Sequence, residues 1–155
     1  MKPFVILALH WISRILLAVV FIYAGYAKLK NPLQFAVAVE GYKLVSSGMV
    51  LLIVKVLPWV EIILGAALLL GIQIRFTAAI TCGFLLFFIG LMLITYLRGI
   101  EADCGCFGVG EKISPLTLIR DASFLLPAFY LYLQPWIDEK INGASARSEA
   151  NNFLG

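Results

Sequence analysis

Histidine occurs once in this 155-residue chain, and Asp, Glu, Lys and Arg together supply only 14% of it. A single histidine excludes a His-rich metal cage, and the absence of GxGxxG, P-loop and HExxH patterns removes the usual phosphate-cradling and zinc-hydrolase motifs. No metal site is therefore expected. The net charge of +3 is small and scattered, so no nucleic-acid partner is expected either. What the chain has in abundance is apolar surface: 62% of its residues are hydrophobic and its mean hydropathy is +0.98. A soluble core of this size could not hide that much apolar area, so lipid must cover part of it. The length suits one domain and leaves no room for a sizeable soluble module.

A membrane span needs about 20 mostly apolar residues. Four runs qualify: about 4–27, 49–71, 76–97 and 116–136. Ser114-Pro115 introduces the last with a good helix start. Pro58 and Pro127 lie inside spans, where kinks are expected but not breaks. The fold class is thus all-α, an integral membrane four-helix bundle. The first run lacks a persuasive small-residue cleavage site and carries His10 and Arg14, so it reads as a retained helix and not a signal peptide. Between the first two spans, Asn31 to Ser47 is too short and too polar to cross, and suits a short amphipathic segment in the interface. Residues 137–155 read as a polar tail.

Four spans place both termini on one side. Lys2, Arg75, Lys140 and Arg147 fall on that side, and Lys28, Lys30, Lys43, Arg98 and Lys112 on the other, so charge alone sets no orientation.

Ionisable residues inside a span are expensive and usually face the bundle interior with a partner. Arg14 lies roughly 15 Å into the first helix and Glu61 roughly 18 Å into the antiparallel second. Equal depth predicts an Arg14–Glu61 buried polar pair, serving either helix packing or a proton path. Lys55, Arg120 and Asp121 lie closer to the opposite face, where long side chains can snorkel. His10 reads as an interfacial or bundle-lining residue. Gly25, Gly65, Gly71, Gly83 and Gly90 suit close helix approach.

Two of the three cysteines form Cys104-Gly105-Cys106 within the loop Gly99 to Ser114, beside a membrane face; Cys82 is mid-span and reads as a small apolar residue. A disulfide across one residue closes a small, strained ring, and strain favours a labile, exchanging bond over a structural one. Gly105 and Gly108 supply the backbone freedom for such a turn. Arg120 or Lys112 would favour the thiolate, while Asp103 and Glu111 would oppose it. Two thiolates do not fill a tetrahedral zinc site; a metal shared between chains, a soft ion or a purely structural turn are the competing readings.

The chain resembles the MauE/DoxX family of redox-associated membrane proteins. Arg14 with Ala24-Gly25-Tyr26-Ala27-Lys28-Leu29 is similar to the family's arginine and aGxxKl pattern. Glu61 through Gly65 and Gly71 to Arg75 is similar to its ExxxG…G…R pattern. Cys104-Gly105-Cys106-Phe107-Gly108, followed by Arg120-Asp121, resembles the MauE branch more than typical DoxX proteins.

The resemblance implies a multi-pass protein of the bacterial inner membrane, with cytoplasmic termini and a periplasmic cysteine loop. It implies Cys104 and Cys106 as a redox pair, Arg120 and Asp121 in support, and Arg14 with Glu61 as the buried polar pair. The branch is implicated in handling disulfides of periplasmic proteins during methylamine dehydrogenase maturation, and other relatives accompany thioredoxin-like proteins. The expected partners are therefore a periplasmic thioredoxin-like or substrate protein, the bilayer, and a larger membrane complex. No bound cofactor is expected beyond the redox-active disulfide; a quinone acceptor has only the analogy of other four-helix bundles behind it. The activity expected is thiol–disulfide exchange or electron transfer, which would make the chain an oxidoreductase. The alternatives are a non-catalytic accessory or assembly subunit, and a small transporter or metalloid-handling protein.

Overall fold

The computed structural model describes residues 2–105 and 111–134. Its helices are α1 (Lys2–Lys30), α2 (Pro32–Gly41), α3 (Ser47–Leu70), α4 (Ile74–Leu97) and α5 (Pro115–Ser123). After a turn at Phe124 the chain is helical again over 125–134. Pro127 lacks the N–H that would bond the Ser123 carbonyl, and the ladder resumes where Ala128 N–H donates to Phe124 O at 3.3 Å. Four segments are long and apolar enough to cross a membrane: Val5–Lys30, Gly48–Leu70, Ile74–Leu97 and Pro115–Gln134. No strand occurs among the described residues, so the fold is an all-α membrane bundle. Leu33, Leu70 and Leu126 are more than 70% exposed, a cost that lipid and not water removes.

α1 and α3 form the intimate antiparallel pair. A Cβ on Gly25 would stand 2.6 Å from Pro58 O, and one on Gly65 2.9 Å from Ala18 O. Only glycine lets the two backbones approach this closely. Gly83 and Gly90 on α4 have open space where a Cβ would be, so they do not serve the close packing expected of them. The central core is Leu17, Ala18, Leu68, Ala78, Ala128 and Leu131, with half-buried Cys82 packed against it. Thr77 and Thr81 are buried beside it on α4 and satisfy their hydroxyls by donating to Ile72 O and Thr77 O.

The α3–α4 turn shows how one intramembrane charge is used. Gly71 ends α3 at φ +73°, and the Gly71 and Ile72 N–H groups return to the last helical carbonyls. Arg14 Nε donates to Leu68 O at 2.7 Å and Nη2 to Leu69 O at 2.8 Å. The guanidinium thereby caps the negative end of α3, and its carbon lies 4.6 Å from the Trp11 ring centroid. A Cβ on Gly71 would stand 2.5 Å from Arg14 Nη2, so this turn needs glycine for both φ and space.

Because Arg14 sits at the last carbonyls of α3, about three turns of α1 project beyond that helix. This projecting part packs on the final span: Tyr130 Oη donates to Ile6 O at 3.2 Å, and His10 Nδ1 bonds Gln134 Oε1.

Candidate functional site

The loop after α4 doubles back as a small antiparallel hairpin. Asp103 and Lys112 form a β-bridge, Cys104 N–H donates to Glu111 O at 2.7 Å, and Ile113 N–H donates to Ala102 O at 3.0 Å. Cys106, expected as the second sulfur of the pair, and the rest of 106–110 lie outside the described residues. Cys104 itself is buried, at 3% exposure.

Two contacts moor this hairpin to α2: Tyr42 Oη donates to Cys104 O at 2.9 Å, and Gly105, at φ +67°, packs on Ala38 and Phe35. α2 turns Phe35 and Ala38 inward while Leu33 and Val37 stay exposed beside Gln34 and Glu40. It is a 10-residue helix between the first two spans, where a short segment was expected.

On the other side stands α5. Ser114 Oγ accepts from Thr117 N–H and Thr117 Oγ1 accepts from Ser114 N–H, a reciprocal cap that fixes the first turn around Pro115. One turn later come Arg120 and Asp121. Asp121 is buried, and its Oδ2 lies 3.8 Å from Cys104 Sγ. Met92 Sδ on α4 lies at the same distance from that sulfur. Arg120 Nε donates to Asp121 Oδ1 at 2.9 Å, and Arg120 Nη1 pairs with Glu111 Oε1 at 2.5 Å. The structure therefore brings Cys104, Arg120 and Asp121 together, with Arg120 joining hairpin to helix. Its charge is engaged by two carboxylates, so it favours the thiolate less than an uncompensated cation would. Lys112, the other expected cation, pairs with Glu101 at 3.0 Å on the exposed face.

The expected Arg14–Glu61 pair does not form. Glu61 instead receives Lys28 Nζ at 2.8 and 2.9 Å, with the two side chains only 2% and 7% exposed. Lys28 also reaches Ala24 O at 3.4 Å and lies 5.4 Å from the Phe35 centroid. The helices are not flush, so equal depth from each helix start did not mean equal height. Glu61 sits beside Gly25, and Arg14 lies eleven residues earlier, roughly 16 Å along α1. Lys28 reads in sequence as a residue closing the first span; its place in the Gly25–Lys28 pattern was the available clue to a site role. Nothing in the sequence marks Tyr42 or Met92.

A cavity of about 50 Å³ joins the two polar groups: Lys28, Glu61 and Asp121 all line it, with Phe84, Phe88 and Phe124. That is room for water beside three charged side chains. A larger cavity of about 300 Å³ opens between α2, α3 and α4 and reaches Cys104 and Gly105. Among the described residues no group of three His, Cys, Asp or Glu is arranged to hold a metal ion. The arrangement offers a buried thiol, a carboxylate 3.8 Å from it, and a cation that holds this carboxylate in place.

A curated relative, the methylamine utilization protein MauE of Paracoccus denitrificans, is 30% identical over 114 residues, 72% of this chain. The chain spans 61% of that relative's length. No solved structure matches it. The family model for methylamine utilisation protein MauE matches residues 6–134, all four spans and the hairpin between the last two, and the chain belongs to that family.

Proposed function

We propose that this protein carries out thiol–disulfide exchange on a partner at one membrane face, using Cys104 and Cys106. The observation that carries the reading is the buried Cys104 Sγ, 3.8 Å from an Asp121 carboxylate that Arg120 holds. Partner exchange begins at Cys106, because Cys104 is 3% exposed and out of a partner's reach. A partner thiolate attacks the Cys106 sulfur of the Cys104–Cys106 disulfide, and Cys104 leaves as thiolate. The partner's second thiolate then attacks the mixed disulfide, releasing Cys106 as thiolate and leaving the partner oxidised. Asp121, a carboxylate paired with Arg120, takes the Cys104 thiol proton when the disulfide re-forms. The reverse sequence reduces a partner with the same atoms. Gly105, at φ +67°, allows the chain to turn between the two sulfurs.

The relative's name places it in methylamine utilisation, and the same setting is proposed for this chain. An exchanging disulfide belongs in an oxidising compartment, so the hairpin faces the periplasm, the termini the cytoplasm, and the membrane is the bacterial inner membrane. A thioredoxin-like or substrate protein is the partner.

The test is titration of the membrane-embedded chain in glutathione redox buffers, read by alkylation mass shift from each side. A reversible two-electron transition, labelled from the periplasmic side, is expected, with exchange slowed about tenfold to a hundredfold by Asp121→Asn. Full partner maturation by both Cys104→Ser and Cys106→Ser chains would replace this reading with that of an accessory subunit.

A further inference from the structure

The larger cavity has three properties that are informative together. It is almost wholly apolar and rich in rings, with Phe35, Tyr42, Phe87 and Phe88 among its walls. It reaches Cys104 and Gly105 at its inner end. At its outer margin stand Phe87 and Leu44, 61% and 41% exposed. Phe87 lies at the middle of the Ile74–Leu97 span, so this margin meets the hydrocarbon and not water. Its volume, about 300 Å³, lies at the lower end for small-molecule sites.

Electron accounting shows what such a cavity is for. Each time the pair oxidises a partner, it is left as a dithiol. The chain offers no second pair to take the electrons, since Cys82 lies ten residues from Met92 on α4, roughly 15 Å along the helix. The acceptor must therefore come to the pair itself. Cys104 is closed to water, and the space beside it opens to lipid. An occupant that enters from lipid, stacks among rings and takes two electrons with two protons is a quinone.

We infer that this cavity binds the ring of a lipid-soluble quinone, which reoxidises the Cys104/Cys106 dithiol. This deepens the proposed function and rests on it. In the step, two S–H bonds break and one S–S bond forms, while two electrons and two protons pass to the quinone oxygens to give the hydroquinone. Asp121 is the group beside Cys104 placed to take the thiol proton on its way. The quinone's tail leaves between Leu44 and Phe87 into the bilayer.

The experiment uses the full chain in lipid nanodiscs with the pair reduced. The probe is a short-tailed benzoquinone substituted at every ring carbon, so that it cannot add to a thiol. Absorbance follows quinone loss, and alkylation mass shift follows loss of two thiols. The two should proceed one to one. Leu57→Trp, which fills the cavity from α3, should slow the quinone reaction by about tenfold or more. Glutathione disulfide should still oxidise the pair in that variant at the wild-type rate. Ile53→Phe is a smaller insertion from the same wall and should act in the same direction if Leu57→Trp fails to fold.

A pair that glutathione disulfide oxidises but the quinone does not would overturn the inference and leave the exchange function standing. That result would also fit a cavity filled only by a lipid acyl chain. A pair inert to both oxidants would overturn both readings. Quinone reaction at full rate in the filled variants would remove the site from this cavity.

Discussion

Removing the Lys28 ammonium leaves the Glu61 carboxylate buried with no opposite charge at hydrogen-bond distance, which makes this pair the sharpest test of the α1–α3 register. Lys28 Nζ contacts both Glu61 oxygens, at 2.8 and 2.9 Å, and neither side chain is more than 7% exposed. Breaking a buried pair from one side typically costs about 3–5 kcal/mol, because the remaining ion must be desolvated alone or neutralised. Lys28→Met and Glu61→Gln should each lose stability in that range, read as the free energy of unfolding in a denaturing-detergent titration. The double variant should recover most of the loss, since replacing both partners with groups of similar volume is often close to neutral. The matching cycle between Arg14→Met and Glu61→Gln should be additive within about 0.5 kcal/mol, as for separated sites. Strong coupling between Arg14 and Glu61, with none between Lys28 and Glu61, would refute the register described above.

Two glycines make further predictions. Gly71→Ala places a left-handed backbone under a Cβ and drives it against the Arg14 guanidinium, 2.5 Å away. It should cost about 1–2 kcal/mol for the conformation alone, and more for the displaced cap, in the same detergent titration; Gly90→Ala, in open space, should cost nothing of the kind. Gly105→Ala, also at positive φ and 3.2 Å from Ala38 Cβ, should loosen the hairpin from α2 and raise the alkylation rate of Cys104 in the reduced protein. An unchanged rate would show that this packing does not shield the thiol.

Much of the fold could be read directly, because four long apolar runs admit one solution in lipid: helices with their backbone groups satisfied internally. The short segment between the first two spans and the Ser114-Pro115 start were equally plain, since their cues are local. The Cys104, Arg120 and Asp121 cluster was half legible. Adjacency in sequence suggested it, but the distance to Cys104 Sγ depends on the hairpin's closure over Tyr42. Register was the hidden quantity. It is set by which glycine meets which backbone oxygen, and composition alone treats Gly25 and Gly65 like Gly83 and Gly90, which meet nothing. Without register, Arg14 and Glu61 looked like neighbours. A lysine at a helix end reads as one reaching for water, whereas Lys28 bends back toward Ala24 and into the bundle.

The mooring of the hairpin to α2 has a mechanical consequence. Ala38 lies on α2 and Tyr42 is its C-cap residue, so the short helix between the first two spans holds the hairpin from one side. The Cys104 backbone is thereby tied to α2, while its sulfur lies against Met92 of α4 and Asp121 of α5. A displacement of α2 relative to α3 and α4 would strain those contacts and change the width of the apolar cavity that the three helices share. The thiol and the cavity therefore share a wall, and neither can be reshaped without the other.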